Sequence, residues 1–165
     1  MKDTFQDSRF HVGLLIVLAL LLVYTVPSHG EIPEIPVDNE GYVEIDVFIH
    51  NQNLQLRRDC VALDMTVSYD QARSIDHGIH GELWERPGSH DLMKDIIDGY
   101  GINVVMVRVH GMQEGAFVSD LFLEKDETVY RLDSRPSDAV AIALRTDAPV
   151  MVHEDLLHDH GVDVC

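Results

Sequence analysis

Lysine is nearly missing from this chain: three of 165 residues, against nine arginines, 19 aspartates and ten glutamates. Twelve basic and 29 acidic side chains give a formal charge of −17, which excludes a domain that coats nucleic acid through a broad basic surface. Cysteine is scarce too. Cys60 and Cys165 are too few for a disulfide-dense secreted scaffold or a four-cysteine zinc module, and the sequence leaves open whether they pair. No glycine-rich phosphate loop of the usual spacing occurs, and no Gly-x-Ser-x-Gly elbow, so the common nucleotide-hydrolase and esterase folds lose weight. What is present is 45% hydrophobic residues, enough to build the core of one ordinary domain. The excess of short carboxylates over long lysine stems keeps a surface hydrated where salt screens charge, and predicts a halophilic protein; the plain alternative is an acidic surface that repels polyanions.

The chain divides into three stretches. Residues 1–30 carry an apolar run, Val12 to Val26, with Lys2 and Arg9 before it and Pro27-Ser28-His29-Gly30 after it. At 15 residues this lies between a signal-peptide apolar region and a membrane span, so residues 1–30 are expected to be a signal or membrane-anchor segment, with residues 12–26 touching the membrane if uncleaved. The protein is then membrane-anchored or exported, and cytoplasmic if the segment is not a targeting signal. Residues 31–40 read as a linker, because Pro33 and Pro36 remove amide donors. Residues 41–165 should fold. Val43, Ile45, Val47 and Ile49 alternate as in a strand with one buried face, and Val61, Leu63, Met65 and Val67 do so again. A short helix over 70–77 follows. Met93, Ile96, Ile97 and Tyr100 mark one stripe of a helix over 90–99. Two β-rich runs, 102–109 and 116–123, flank a hairpin connection at Gly111–Gly115, and 129–132 extends the meander. Pro136 suits the first turn of a helix over 136–146, and 150–152 adds a strand. The expected class is α+β: a single compact domain, a mixed β-sheet with packed helices.

Two segments concentrate polar residues ahead of helices: Arg86-Pro87-Gly88-Ser89-His90-Asp91 and Asp133-Ser134-Arg135-Pro136-Ser137-Asp138. Helix starts expose unpaired amides, so phosphate is favoured there, and Arg86, Arg135 and Arg145 are candidates to bind it. His90, Asp133 and Asp138 offer the donors a divalent metal of the Mg or Mn type needs, and His90, Asp91, Asp133 and Asp138 are the catalytic candidates. The plain reading is capping: Ser89 as N-cap, Asp91 and Asp138 in first turns. His77 with His80, and His158-Asp159-His160, are further ligand candidates whose ordinary reading is solvated loop and tail. Trp84 either stacks a base or anchors a core.

At these segments the chain resembles the bifunctional nuclease family, small domains associated with DNase and RNase activity. Leu132 to Arg145, Leu-Asp-Ser-Arg-Pro-Ser-Asp-Ala-Val-Ala-Ile-Ala-Leu-Arg, is similar to the family's Asp-x-Arg-Pro-Ser-Asp-Ala signature. Arg86-Pro87-Gly88-Ser89-His90-Asp91-Leu92-Met93 and Gly115-Ala116-Phe117 resemble two further motifs, and the likeness spans roughly Val61 to Gly161. Where the family reads Leu-Pro-Ile-x-Ile-Gly-x-x-Glu-Ala, this chain has Leu63 to Ala72, with Gln71 in place of the glutamate. The resemblance implies a nuclease-like phosphodiesterase acting on DNA or RNA; the alternative is a non-catalytic homo-oligomeric interaction domain of the same fold.

Overall fold

Four tight hairpins organise the strands of the protein, whose computed structural model describes residues 39–81 and 86–165. β1 (Tyr42–Glu44) and β2 (Asp46–His50) are followed by β3 (Asn53–Arg58) and β4 (Val61–Thr66). Next come α1 (Tyr69–His80) and α2 (Ser89–Gly99), then β5 (Asn103–Gln113), β6 (Ala116–Lys125) and β7 (Thr128–Ser134). α3 (Pro136–Thr146), β8 (Val150–His153), α4 (Glu154–His160) and β9 (Val162–Asp163) complete the order. Each hairpin turns on two residues, and each places a non-glycine residue at positive φ: Asn51 at 54°, Asp59 at 53°, Glu114 at 51°, and Asp126 at 50° beside Glu127 at 65°. Asn and Asp tolerate that region best, which is why they occupy three of these turns. Gly115, at 82°, makes the β5–β6 connection two residues long, so β5 runs on through Gly111–Gln113 where the sequence predicts loop.

The domain is α+β with a mixed sheet, as expected, and it carries a second sheet besides. One has the order β1-β8-β5-β6-β7, with β5 and β8 parallel and the remaining pairs antiparallel; the other, β2-β3-β4-β9, is antiparallel throughout. The switch occurs at Ile45. Its amide donates to the Val150 carbonyl at 3.0 Å and its side chain is buried, so the alternating run Val43 to Ile49 is divided between the sheets.

One core serves both sheets. Leu54, Leu56 and Leu63 from the small sheet, Val107, Val109 and Leu121 from the large one, Ile75 of α1 and the Ala139–Ala143 stretch of α3 are all buried in it. α3 is apolar nearly all round because it lies between α1 and the β5–β6 pair, and the sequence-predicted span 136–146 is the observed one. α1 crosses α3 at Gly78, where a Cβ would lie 2.9 Å from Leu144 Cβ. α4 is held to the core by buried Leu156, while His158, Asp159 and His160 at its end are exposed, as the solvated reading expects. Cys60 and Cys165 form a disulfide across 105 residues. Residues 1–30, most of the expected linker and Trp84 lie outside the described residues; among those described, no helix is long and apolar enough to cross a membrane.

Candidate functional site

Three helix beginnings meet at one cleft, and each is fixed by a local hydrogen-bonding choice. α1 starts with Ser68 as N-cap: its hydroxyl accepts the Gln71 amide at 3.3 Å, and Gln71 Oε1 accepts the Ser68 amide at 2.9 Å. The other end of the same side chain donates from Nε2 to Ser137 Oγ at 2.8 Å, tying α1 to the start of α3. Gln71 here is thus a strut between helices, accepting at one end and donating at the other. α2 starts at Ser89, not after it. Gly88 takes the N-cap place expected for Ser89, and Asp91, in the first turn, reaches back to accept the Gly88 amide at 2.7 Å.

Asp91 also accepts from Arg145 Nε at 2.6 Å, and both side chains are about nine-tenths buried. Burial by itself would raise the Asp91 carboxyl, but the Arg145 guanidinium and the Gly88 amide outweigh it and hold the group below its ordinary value. Arg145 Nη1 further donates to the carbonyls of Ser74 and Ala141 at 3.0 and 2.7 Å. Arg145 therefore clamps α1, α2 and α3 together, and it also lines the cleft that opens between them.

His90, the second residue of α2, stands between two partners. Its Nδ1 is 2.8 Å from Ser74 Oγ, and its Nε2 is 3.5 Å from Asp138 Oδ1. A carboxylate beside Nε2 favours the proton on that nitrogen, so we assign the Nε2–H tautomer, in which Nδ1 accepts from the Ser74 hydroxyl. Burial pushes the imidazole below its ordinary value; Asp138 opposes this and Arg145 adds to it. The second oxygen of Asp138 accepts from Arg135 Nε at 2.6 Å, and Arg135 is largely exposed at the rim. Ser74, His90, Asp91, Arg135 and Asp138 line a cleft of about 630 Å³ together with Gln71. A wider cleft of about 990 Å³ lies across the Asp91–Arg145 pair, bordered by His77, His80 and Asp147. The smaller one is the candidate site because it holds the histidine, hydroxyl and rim arginine together.

The structure thus brings His90, Asp91, Asp138, Arg135 and Arg145 together, and leaves two expected residues elsewhere. Arg86 is exposed and does not line the cleft. Asp133 sits on β7, opposite Asp120 on β6. Its neighbour Leu132 packs against the core, and strand side chains alternate, so Asp133 faces the other side of the sheet. That side carries its own polar cluster: Asp120, 8% exposed, lies 3.2 Å from His110 Nε2 and 3.3 Å from Arg131 Nε, near buried Arg108 stacked on Tyr42 and Phe122. No motif in the sequence points to Ser74. It stands 16 residues from His90 on a different helix, and no local spacing joins them.

The donor set does not fit a tightly held divalent ion. Among the described residues no group of three His, Cys, Asp or Glu is placed to hold a metal. Both oxygens of Asp138 and of Asp91 already face protein partners, and Asp133 is remote.

Fold and cleft together define a small α+β domain with a histidine-centred polar site between helix starts. Residues 54–165, more than half of the chain, match the family model described as the bifunctional nuclease domain. The chain belongs to the bifunctional nuclease domain family. It is similar to an uncharacterized protein of Mycobacterium tuberculosis (strain ATCC 25618 / H37Rv), 40% identical over 100 residues, covering 61% of this chain and 59% of the relative. It also resembles Bifunctional nuclease 2 of Oryza sativa subsp. japonica, 38% identical over 80 residues, and Bifunctional nuclease 2 of Arabidopsis thaliana, 34% over 82. These cover 47% and 48% of this chain and 25% of each plant protein. The chain thus spans about three fifths of the mycobacterial relative and a quarter of the plant ones.

Proposed function

We propose that this domain hydrolyses phosphodiester bonds of DNA or RNA at the cleft between α1, α2 and α3. One observation carries the reading: the two segments that resemble the nuclease family, 86–93 and 132–145, are far apart in the chain yet supply His90 and Asp138 to one site, 3.5 Å apart. His90 would move the proton, Asp138 would orient it, and Arg135, exposed at the rim, would meet the phosphate. Any divalent ion the reaction uses would take ligands from the substrate phosphate and from water, since the described residues offer no ready set. The test is cleavage of single- and double-stranded DNA and of RNA by the purified full chain, with and without chelator. Cleavage that falls about 100-fold in Asp138→Asn supports the reading; an inert, folded wild type on all substrates ends it.

The acidic surface sets a condition on this activity. With Arg145 committed to Asp91, the local cation for a polyanion reduces chiefly to Arg135, so binding cannot follow the steep salt slope of a basic protein. Activity and melting temperature should hold or rise from about 0.1 M to 1 M salt, as the halophilic reading requires. Export is supported by the Cys60–Cys165 bond, of a kind that persists in oxidising compartments. A second reading, the non-catalytic oligomeric domain, has its own support: Leu92, Met93, Ile96 and Tyr100 leave the outer side of α2 apolar and 43–68% exposed. Sedimentation of the full chain, with Ile96→Glu as the dissociating variant, tests it.

A further inference from the structure

Ser74 lies in the middle of α1, where a serine hydroxyl ordinarily bonds the carbonyl one turn back. Here it is 2.8 Å from His90 Nδ1 instead, and the far nitrogen of that ring faces Asp138. A hydroxyl, an imidazole and a carboxylate in line, with the hydroxyl on the wall of an open cleft, form a relay defined by geometry rather than by chain order. The ring is used with its nitrogens exchanged relative to the familiar hydrolase arrangement: the serine meets Nδ1 and the carboxylate meets Nε2. The backbone fixes this, because the Arg145 guanidinium that clamps Asp91 also holds the Ser74 carbonyl, setting α1 against the start of α2.

We infer that Ser74 is a nucleophile that attacks phosphorus, with His90 as its base and Asp138 orienting the ring. In the first step a bond forms between Ser74 Oγ and phosphorus while one ester P–O bond breaks. The serine proton passes to His90 Nδ1 and from there to the departing alkoxide. In the second step His90 takes a proton from water, the water oxygen bonds to phosphorus, the Ser74–phosphorus bond breaks, and the serine oxygen recovers the proton. The sum is diester plus water giving monoester plus alcohol, with no redox change. Arg135, held on Asp138 at the rim, faces the charge that develops on the phosphoryl oxygens. The substrate assignment rests on the nuclease reading; the nucleophile does not.

A fluorophosphonate separates the two, since it reports an activated serine whatever the natural substrate: Ser74 Oγ displaces fluoride and leaves a stable adduct. The full chain is treated with diisopropyl fluorophosphate, and the adduct is located by peptide mass spectrometry in wild type, Ser74→Ala, Ser89→Ala, His90→Gln and Asp138→Asn, each checked by melting. The expected result is modification of wild type and Ser89→Ala at Ser74 and none there in Ser74→Ala. The rate should fall about 100-fold in His90→Gln and about tenfold in Asp138→Asn. A folded wild type left unmodified at Ser74, or a folded His90→Gln that reacts at the wild-type rate, overturns the inference. Modification at Ser74 without cleavage of any DNA or RNA leaves the nucleophile standing and removes the nuclease reading. Cleavage that persists in Ser74→Ala within about threefold overturns the nucleophile and keeps the nuclease.

Discussion

Two aspartates of this domain are each flanked by a histidine Nε2 and an arginine Nε, and the two clusters differ in what lies beyond. Asp120 sits on β6, inside the edge strand of the large sheet, 6% exposed as a whole residue, with His110 and Arg131 on the strands to either side. Asp138 sits on the first turn of α3, its side chain 28% exposed, and its histidine continues to the Ser74 hydroxyl on a third element. The first arrangement ties β5, β6 and β7 together across the pleat. The second ends at a group that faces a cleft. A His–Asp contact is thus no mark of chemistry by itself; what matters is whether the imidazole's other nitrogen leads to a group a substrate can meet.

The largest effect is expected from the pair that supports the second cluster without belonging to it. Asp91→Ala leaves the Arg145 guanidinium buried and unpaired, and should lower unfolding free energy in denaturant titration by about 3–5 kcal/mol. Next in size, His90→Gln should reduce cleavage by about 100-fold or more, while His110→Gln should leave it within about twofold; equal losses would erase the distinction between the clusters. Third, Asp120→Asn should cost about 1–3 kcal/mol of stability with cleavage retained. Asp138→Asn should invert this, since its partly exposed contacts with His90 and Arg135 contribute only about 1 kcal/mol.

The smallest effect is in pH dependence, where the two limbs separate. His90 is held below its ordinary value of 6.5, so the native state binds fewer protons than the unfolded chain in the window beneath it. Its contribution to stability is complete above about pH 6.5 and declines as pH falls toward the lowered value. Asp91 is also lowered, so its contribution is complete above the ordinary carboxylate range and is lost only as pH falls through its folded value. Thermal melts from pH 7.5 to 3 should therefore show His90→Gln removing the upper limb and Asp91→Asn the lower one.

Much of this was readable from sequence where local chemistry decides. Pro136 followed by an apolar run located α3 to the residue, and the stripe Met93 to Tyr100 located α2 within one. The switch at Ile45 was not readable, because alternation continues through a point where hydrogen-bonding partners change sheet. β3 escaped because its two core residues, Leu54 and Leu56, are embedded among amides and arginines. Within the site, the run Asp133 to Asp138 looks like one polar cluster. The strand's period of two sends Asp133 to the far face before the helix begins and turns Asp138 into the cleft. Ser74 is not legible there because its partner His90, on α2, is reached only through the packing of both α1 and α2 on α3.

The disulfide gives the domain a covalent topology that outlasts a break in its backbone. Cys60 and Cys165 bracket every residue of the cleft from Gln71 to Arg145, so the site lies inside a closed ring of main chain. A single peptide bond cut anywhere in that ring opens it without releasing a fragment. The nicked protein would keep its mass, apart from one added water, and run as two pieces only after reduction. A protease that reaches an exposed loop therefore cannot carry His90 away from Ser74 by one cut, and two cuts in the same ring are needed to discard a piece of it.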